Sequence, residues 1–251
     1  MIKIKNILTE TCFENMPIVF LHAHPDDESF LTAGSISAFT EKNKNVYIVY
    51  AAAALVENKP ETITRQQEAL TACQILGTNN VIFLDNADEL YKQDIQPVQN
   101  YLPNLLECFI QKLPKNILQN KFILISYDEN GGYGHPDHVM VHKLGRFITK
   151  HIPNVMLYEV TLNRTHMDSW IKDAKPRLPH QLLPDLSFWS KIYGLAESEI
   201  THVLKLSNKA QTIKKIALGF HKSQIIPGTF PIALNNSDFE SVFGCEYYHR
   251  V

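Results

Sequence analysis

The sequence lacks an excess of positive charge, and it lacks a long hydrophobic run. Its 251 residues include 24 lysines and arginines against 26 aspartates and glutamates, which gives a formal net charge of −2. Nucleic-acid-binding proteins usually carry a basic excess that displaces counterions, so we expect no nucleic-acid partner. No apolar stretch reaches the roughly 18–20 residues that a transmembrane helix needs, so we expect no membrane span.

The sequence also lacks closely spaced cysteines and a recognisable signal peptide. None of its four cysteines, Cys12, Cys73, Cys108 and Cys245, belongs to a C-x-x-C pair. This spacing excludes the usual zinc-ribbon and redox motifs and favours structural roles for all four thiols. The N-terminal residues have lysines but no apolar stretch followed by a cleavage site, so we expect a cytoplasmic protein.

Apolar runs alternate with helical patterns along most of the chain. The pattern predicts strands at 17–22, 46–54, 81–84, 121–127 and 155–160, and helices at about 28–43, 61–76, within 94–113 and at 137–150. Strands that alternate with helices across short loops indicate an α/β fold, in which a parallel sheet is covered by helices on both faces.

We expect one domain that spans residues 1–251, since the sequence shows no repeat and no obvious linker. A core at about 17–160 carries the alternating pattern. An irregular segment follows at about 161–199, containing several prolines and both tryptophans, Trp170 and Trp189, which we expect to pack rather than to stack on a ligand. A final strand and helix are predicted at about 201–222.

The first polar cluster directly follows the first predicted strand. It consists of His24, Pro25, Asp26, Asp27 and Glu28. An imidazole and a carboxylate three residues apart can share one metal ion across the turn, which would leave Asp26 free for proton transfer. A dication would also relieve the repulsion between the three acids. Acidic residues are common in the first turn of any helix, but that preference does not explain His24.

The second polar cluster has the same construction, an apolar strand followed by a turn and a helix. It comprises Gly131, Gly132, Tyr133, Gly134, His135, Pro136, Asp137 and His138. Two parallel strands would place both turns at one edge of the sheet, which predicts a shared metal site. His138 and His142 have the spacing of an H-E-x-x-H metalloprotease helix, but Val139 replaces the glutamate. We therefore expect His142 to lie beside the site and not to be a ligand.

The two motifs, His-Pro-Asp-Asp-Glu at 24–28 and Gly-His-Pro-Asp-His at 134–138, resemble those of the LmbE-like, or PIG-L, metal-dependent deacetylases. The resemblance covers about 17–151, with weaker support around 214–224. It implies a Rossmann-like, mostly parallel sheet in a single domain. It also implies removal of an N-acetyl or related acyl group from an N-acetylglucosamine-type conjugate, a small amino-sugar or glycoconjugate, by metal-activated water. The sequence is also compatible with a homo-oligomer.

The resemblance also assigns roles to individual residues. His24, Asp27 and His138 would hold Zn²⁺, although this ligand set also accepts Fe²⁺ or another divalent ion. The predicted catalytic residues are the general base Asp26, the oxyanion stabiliser or acid His135, its orienting carboxylate Asp137, and the helper Tyr133. The predicted substrate-binding residues are Glu28, Arg65 and His221, and Arg65 belongs to an Arg-x-x-Glu pair with Glu68.

Two loops depart from the family pattern, and both should border the substrate pocket. Residues 55–57 read Leu-Val-Glu where many members have a Gly-Glu turn, and residues 85–88 read Asp-Asn-Ala-Asp. The sequence therefore predicts the type of reaction more firmly than it predicts the substrate. Glu159, at the end of a predicted strand, is a further candidate for the site without an assigned role.

Two other functions compete with the hydrolase. Two histidines and a carboxylate also form the iron site of non-haem oxygenases, but those built on β-barrels should show many short alternating strands. A non-catalytic ligand-binding member of the fold is the other alternative. The presence of Asp26, which binding a metal does not require, argues against it.

Overall fold

A computed structural model of the protein describes residues 4–52, 60–84, 101–183 and 192–251. The strands are β1 Lys5–Asn6, β2 Ile18–His22, β3 Val46–Tyr50, β4 Val81–Phe83, β5 Phe122–Tyr127, β6 Val155–Thr161, β7 His202–Lys205 and β8 Cys245–Arg250. The helices are α1 Ala33–Glu41, α2 Pro60–Ile75, α3 Tyr101–Lys112, α4 Lys115–Leu118, α5 Gly131–Gly134, α6 Pro136–His151, α7 Arg164–Ala174, α8 Asn208–Leu218 and α9 Asn236–Phe243.

These strands form one sheet in the order β1-β7-β8-β6-β5-β2-β3-β4. The pairs from β6 to β4 are all parallel, as is the pair of β1 with β7, whereas β8 runs antiparallel to both of its neighbours. Strand order reverses beside β2, since β3 and β4 extend the sheet on one side and β5 and β6 on the other. In open α/β sheets, sites form at the carboxyl edge beside such a reversal.

The central strands are apolar because both of their faces are covered. Every residue of β2 and of β5 is buried, as expected for strands between two layers of helices. The expected α/β fold with a mostly parallel sheet is therefore confirmed. The expected strand at 46–54 ends at Tyr50 in the described part, and residues 53–59 and 85–100 lie outside it.

Two helices begin at the polar clusters, each with a feature that sequence periodicity did not predict. The helix expected at 28–43 opens with a π-helical turn, Glu28–Thr32, before α1. Such wide turns occur frequently at functional sites. Helix α6 starts with Pro136 in its first turn and with His135 as its N-cap, an arrangement that suits proline because that position needs no N–H partner.

The segment expected to be irregular, at about 161–199, contains helix α7, and the chain continues beyond the predicted C-terminal helix with α9 and β8. Trp170 of α7 is buried in a second apolar cluster and donates from Nε1 to Asp238 of α9 at 3.0 Å. The expectation that Trp170 packs is thereby confirmed, whereas Trp189 lies outside the described residues. No helix among the described residues is long and apolar enough to cross a bilayer.

A buried ion pair ties β8 to α1 and α8. Lys214 Nζ lies 2.8 Å from Glu246 Oε1, and both side chains are 1% exposed. The Glu246 carboxylate also accepts the backbone N–H groups of Gly34 and Ser35, each at 2.8 Å. A carboxylate at these N–H groups stabilises the start of a helix, so one buried side chain fixes the positions of two helices and a strand.

Candidate active site

The two polar clusters meet at the carboxyl edge of the sheet. Strands β2 and β5 are parallel neighbours, with Ile18 opposite Ile123 and Phe20 opposite Ile125. The turn after β2 carries His24 and Asp27, and the glycine-rich loop after β5 leads to His138 at the start of α6. The register of two ordinary apolar strands thus brings together residues more than 100 positions apart.

Asp27 lies between the two histidines. Its Oδ1 is 3.1 Å from His138 Nε2, and its Oδ2 is 3.7 Å from His24 Nδ1. The imidazoles of His24 and His138 are also neighbours, with ring centroids 5.6 Å apart. Donor atoms bound to one tetrahedral ion at about 2.0–2.2 Å lie at comparable mutual separations.

Hydrogen bonds on the far side of each ring fix which nitrogen can bind a metal. His24 Nε2 lies 2.9 Å from Asp137 Oδ2, and His138 Nδ1 lies 3.1 Å from the carbonyl oxygen of Gly131. Both partners are acceptors, so these nitrogens carry the protons. The lone pairs of His24 Nδ1 and His138 Nε2 then face the Asp27 carboxylate. Three electron-rich groups that face one another suit a bound cation, and this donor set fits a divalent ion.

Tyr127, the last residue of β5, holds the carboxylate of Asp27, and the sequence did not single it out. Its hydroxyl donates to Asp27 Oδ2 at 2.9 Å and accepts the N–H of Ala23 at 3.0 Å. Its ring also stacks on that of His138, with centroids 4.2 Å apart. A tyrosine at the end of a strand that leads into the predicted site is a signal that could have identified it.

His135 completes a compact group of histidines. One ligand atom each from His24, His135 and His138 lies within 4.8 Å of the others. His135 Nδ1 accepts the backbone N–H of Asp137 at 3.1 Å, so the neutral ring carries its proton on Nε2. Burial and the neighbouring His138 and His24 lower the pKa of His135 to about 4. A neutral ring with this tautomer can donate a hydrogen bond from Nε2.

The Asp137 carboxylate contacts a different histidine from the one that we expected. We expected its carboxylate to orient His135, but its Oδ2 lies 2.9 Å from His24 Nε2 instead. The contact that it makes with Nδ1 of His135 comes from its backbone N–H. The physical reason is local, since His135 caps α6 and accepts the amide of the residue two positions on.

Tyr133 lies at the same centre. Its hydroxyl is 3.3 Å from His138 Nε2, and burial raises its pKa well above the usual range. The hydroxyl therefore stays protonated and can donate. Gly131, with φ +62°, allows this loop to pass close to α6, because a Cβ there would lie 2.7 Å from Cβ of His138.

Asp128 fixes the same loop and was not predicted. Its fully buried carboxylate accepts the N–H groups of Asn130 at 2.8 Å and Gly132 at 3.0 Å. The segment before β7 supports the loop from outside, because the N–H of Gly194 donates to the carbonyl of Gly132 at 2.7 Å. The loop that carries Tyr133 is thus held on two sides.

Asp26 has a backbone that few residues other than glycine adopt, with φ at 146°. Its carboxyl is 24% exposed, more than the other acids of its cluster, and Arg65 Nη2 lies 3.7 Å from its Oδ2. Burial and the negative charge of Asp27 raise the pKa of Asp26 to about 6. Arg65 also donates from Nε to the carbonyl of Pro25 at 3.3 Å, so it braces the turn that carries Asp26.

Glu28 and His221 do not lie where a substrate-binding role requires. Both side chains are 0% exposed, and His221 Nε2 lies 2.7 Å from Glu28 Oε1. The Glu28 carboxylate also accepts the hydroxyls of Ser29 and Tyr50. Because both side chains are buried and bond to each other, they are not exposed to a substrate.

The remaining candidates lie behind the site. His142 Nδ1 is 3.0 Å from the carbonyl of Tyr127 and 3.0 Å from Glu159 Oε1, and Arg146 Nε donates to the same carboxylate at 2.7 Å. His142 therefore supports the strand end, in line with the expectation that it is not a ligand. The loops at 55–57 and 85–88 lie outside the described residues.

Comparisons with known proteins show sequence relatives and a shared fold. The 1D-myo-inositol 2-acetamido-2-deoxy-alpha-D-glucopyranoside deacetylase of Thermomonospora curvata is 24% identical over 277 residues, covering 92% of this chain and 89% of that protein. Two solved structures share the fold. The A40926 pseudoaglycone deacetylase Dbv21 has a TM-score of 0.62 at 13% identity, covering 94% of this chain and 97% of that one. The zinc-inhibited form of teicoplanin deacetylase Orf2 has a TM-score of 0.61 at 13% identity, with 94% and 99% covered.

The family is established by the match to a family model. The model of PIG-L, described as GlcNAc-PI de-N-acetylase, matches residues 19–149, which is more than half of the chain. The matched residues contain both polar clusters that converge on Asp27. Sequence motifs, fold and site geometry agree, and the chain belongs to the PIG-L family.

Proposed function

We propose that this protein is a divalent-metal-dependent hydrolase that removes the N-acetyl group from an N-acetylglucosamine-type conjugate. The observation that carries the proposal is the convergence of His24 Nδ1, the Asp27 carboxylate and His138 Nε2, beside the partly exposed carboxyl group of Asp26. Three protein ligands leave coordination positions open, which is typical of catalytic and not of structural sites.

The metal ligands in this proposal are His24, Asp27 and His138. A bound divalent ion supplies Lewis acidity, which polarises a carbonyl oxygen and makes a nearby water molecule a stronger nucleophile. Asp137 and the Gly131 carbonyl hold the two imidazoles in the tautomers that binding requires. Tyr127 donates to Asp27 Oδ2 and leaves Oδ1 directed at His138.

Asp26 takes the proton of the attacking water in this mechanism. The water oxygen forms a bond to the amide carbon, and the carbonyl oxygen becomes an oxyanion. A carboxyl whose pKa lies near the working pH is well suited to accept and later return a proton. Cleavage of the C–N bond then releases acetate, and the amine leaves with the proton that Asp26 took from the water. His135 is not the acid in this mechanism, because its neutral ring would become an imidazolate on losing the Nε2 proton.

His135 and Tyr133 supply hydrogen-bond donors for the oxyanion. The neutral His135 ring carries its proton on Nε2, and the Tyr133 hydroxyl lies near His138 Nε2 on the same side of the site. Donors that are already oriented before the reaction stabilise developing charge without reorganisation, which is why such groups have large effects on rate. Arg65, which braces the Asp26 turn, is also the proposed contact for a polar part of the substrate.

The substrate class follows from the family and from the relatives. The Thermomonospora curvata protein is named as a deacetylase of a 2-acetamido-2-deoxy-glucopyranoside, so an N-acetylated amino sugar is the substrate that we propose here. Zinc is the metal that we propose first. Because a structure of teicoplanin deacetylase is described as its zinc-inhibited form, iron(II) is the necessary comparison.

The test is amine release from a panel of N-acetylglucosamine conjugates by protein loaded with one equivalent of Zn²⁺ or Fe²⁺. We expect release from at least one conjugate, its loss on chelation, and its recovery when the ion is restored. Inactivity of both loaded forms across the panel would contradict the deacetylase and leave a ligand-binding role. Consumption of 2-oxoglutarate by the Fe²⁺ form would instead indicate an oxygenase.

A further inference from the structure

The proposed mechanism does not use the buried pair of Glu28 and His221. Four side chains form this group, named here the Glu28 cluster: Glu28, Ser29, Tyr50 and His221. Glu28 and Ser29 belong to the π-helical turn after Asp27, Tyr50 ends β3, and His221 follows α8. Three separate parts of the fold therefore converge on one carboxylate beside the active site.

The hydrogen bonds of the carboxylate are divided between its two oxygens. Oε1 is 2.7 Å from His221 Nε2 and accepts the Ser29 hydroxyl. Oε2 accepts the Tyr50 hydroxyl at 2.7 Å and the backbone N–H of Asp26 at 3.0 Å. Each oxygen thus has two donors, which uses the full capacity of an ionised carboxylate to accept hydrogen bonds.

The bond to the Asp26 backbone connects the Glu28 cluster to the reaction. Asp26 has φ 146°, a conformation that a side-chain-bearing residue keeps only when its surroundings hold it there. Glu28 Oε2 accepts the Asp26 N–H, and Arg65 donates to the Pro25 carbonyl, so both polar atoms of the peptide group that precedes the Asp26 Cα are held. The direction of the Asp26 carboxyl depends on this backbone, because rotation about φ would move the side chain away from the site.

We propose that His221 is a positioning residue that holds Asp26 in its reactive direction through Glu28. This inference rests on the proposed function, since it takes Asp26 to be the group that accepts the proton. His221 binds Oε1 and so orients the whole carboxylate, whose Oε2 then meets the Asp26 N–H. Its buried Nδ1 has no hydrogen-bond partner among the described residues, and its Nε2 lies 2.7 Å from Glu28 Oε1 and 3.2 Å from the Ser29 hydroxyl. Since that hydroxyl itself donates to Glu28 Oε1, both contacts act on the Glu28 carboxylate.

A matched pair of substitutions separates this role from simple packing. The amide nitrogen of glutamine reaches about as far as Nε2 of histidine, whereas that of asparagine reaches only as far as Nδ1. We expect His221→Asn to lower kcat by about 10- to 100-fold, with KM nearly unchanged, because small misplacements of catalytic groups have effects of this size. We expect His221→Gln to keep most of the wild-type kcat, and both variants to bind one metal ion.

Hydrogen exchange of the Asp26 amide tests the proposed hydrogen bond to Glu28 without a measurement of turnover. The Asp26 N–H should exchange slowly with solvent in the wild-type protein and in His221→Gln, and faster in His221→Asn, because its acceptor is no longer held. The control is His202→Asn, the same substitution at another buried histidine beside a glutamate, Glu10 at 3.4 Å. Three strands separate β7, which carries His202, from β2, so exchange at Asp26 should not change.

Tyr50→Phe provides a second route if His221→Asn does not fold. This substitution removes the hydroxyl that donates to Glu28 Oε2 and leaves the aromatic ring of residue 50 in place. It should therefore also speed exchange of the Asp26 N–H and lower kcat. In the double variant, the fold-reduction in kcat should be smaller than the product of the fold-reductions caused by Tyr50→Phe and His221→Asn alone, because both substitutions act through Glu28.

Unchanged exchange at Asp26 in both variants would overturn the proposal, and so would a rise in KM with kcat unaltered. If the wild-type protein releases no amine but the exchange pattern is as expected, then the proposed function fails and the positioning stands.

Discussion

Replacement of Asp26 by asparagine should lower kcat by about 10²–10⁴-fold, the usual contribution of a general base. Asparagine has nearly the same shape and tolerates positive φ, so the substitution removes the charge and leaves the backbone at φ 146°. None of the proposed metal ligands is altered, and the protein should still bind one ion. The measurement is kcat for amine release together with metal content after dialysis.

Glu129→Gln is the matched control for loss of a negative charge near the site. Glu129 is exposed on the glycine-rich loop, and it has no part in the proposed mechanism, so this variant should turn over like wild type. If Asp26→Asn retained more than about a tenth of the wild-type kcat, its effect would be too small for a general base. Loss of the metal in Asp26→Asn would instead make Asp26 a ligand.

Replacement of Lys214 by methionine should give the largest loss of stability. It leaves the Glu246 carboxylate buried without its cation, and removal of one partner of a buried ion pair costs about 3–5 kcal/mol. For a protein of this size, that free energy corresponds to a fall in Tm of roughly 6–20 °C. Thermal and denaturant unfolding of the metal-loaded protein would measure it.

The same helix provides the control. Lys209 of α8 pairs with Glu41 of α1 at 2.7 Å, but the two side chains are 73% and 55% exposed. Exposed pairs are screened by solvent and contribute little, so Lys209→Met should unfold close to the wild-type midpoint. Equal midpoints for Lys214→Met and Lys209→Met would show that the buried pair does not hold α1, α8 and β8 together.

The sequence predicted the parts of this protein that depend on local pattern. Apolar runs predicted β2 and β5, and the polar residues directly after them marked the edge where the site lies. Parallel pairing of those two strands was then enough to bring His24 and His138 together, as the structure shows.

What the sequence did not predict depends on contacts between distant segments. Tyr127 and Glu246 each bond to a residue far along the chain, 100 residues away for Asp27 and 32 for Lys214, so local pattern does not predict either contact. Glu28 belongs to a predicted motif, yet its direction depends on Tyr50 and His221. Strand β8 was missed because its residues, Cys245–Arg250, lack clear alternation and become a strand by pairing between β6 and β7.

The central claim is that one divalent ion is held by His24, Asp27 and His138, and anomalous diffraction tests it most directly. Crystals of protein loaded with a single defined ion would be measured on either side of the absorption edge of that ion. We expect one strong peak, bounded by His24 Nδ1, Asp27 Oδ1 and His138 Nε2. A peak bound instead by the three histidines His24, His135 and His138, or no peak at this edge of the sheet, would contradict the account.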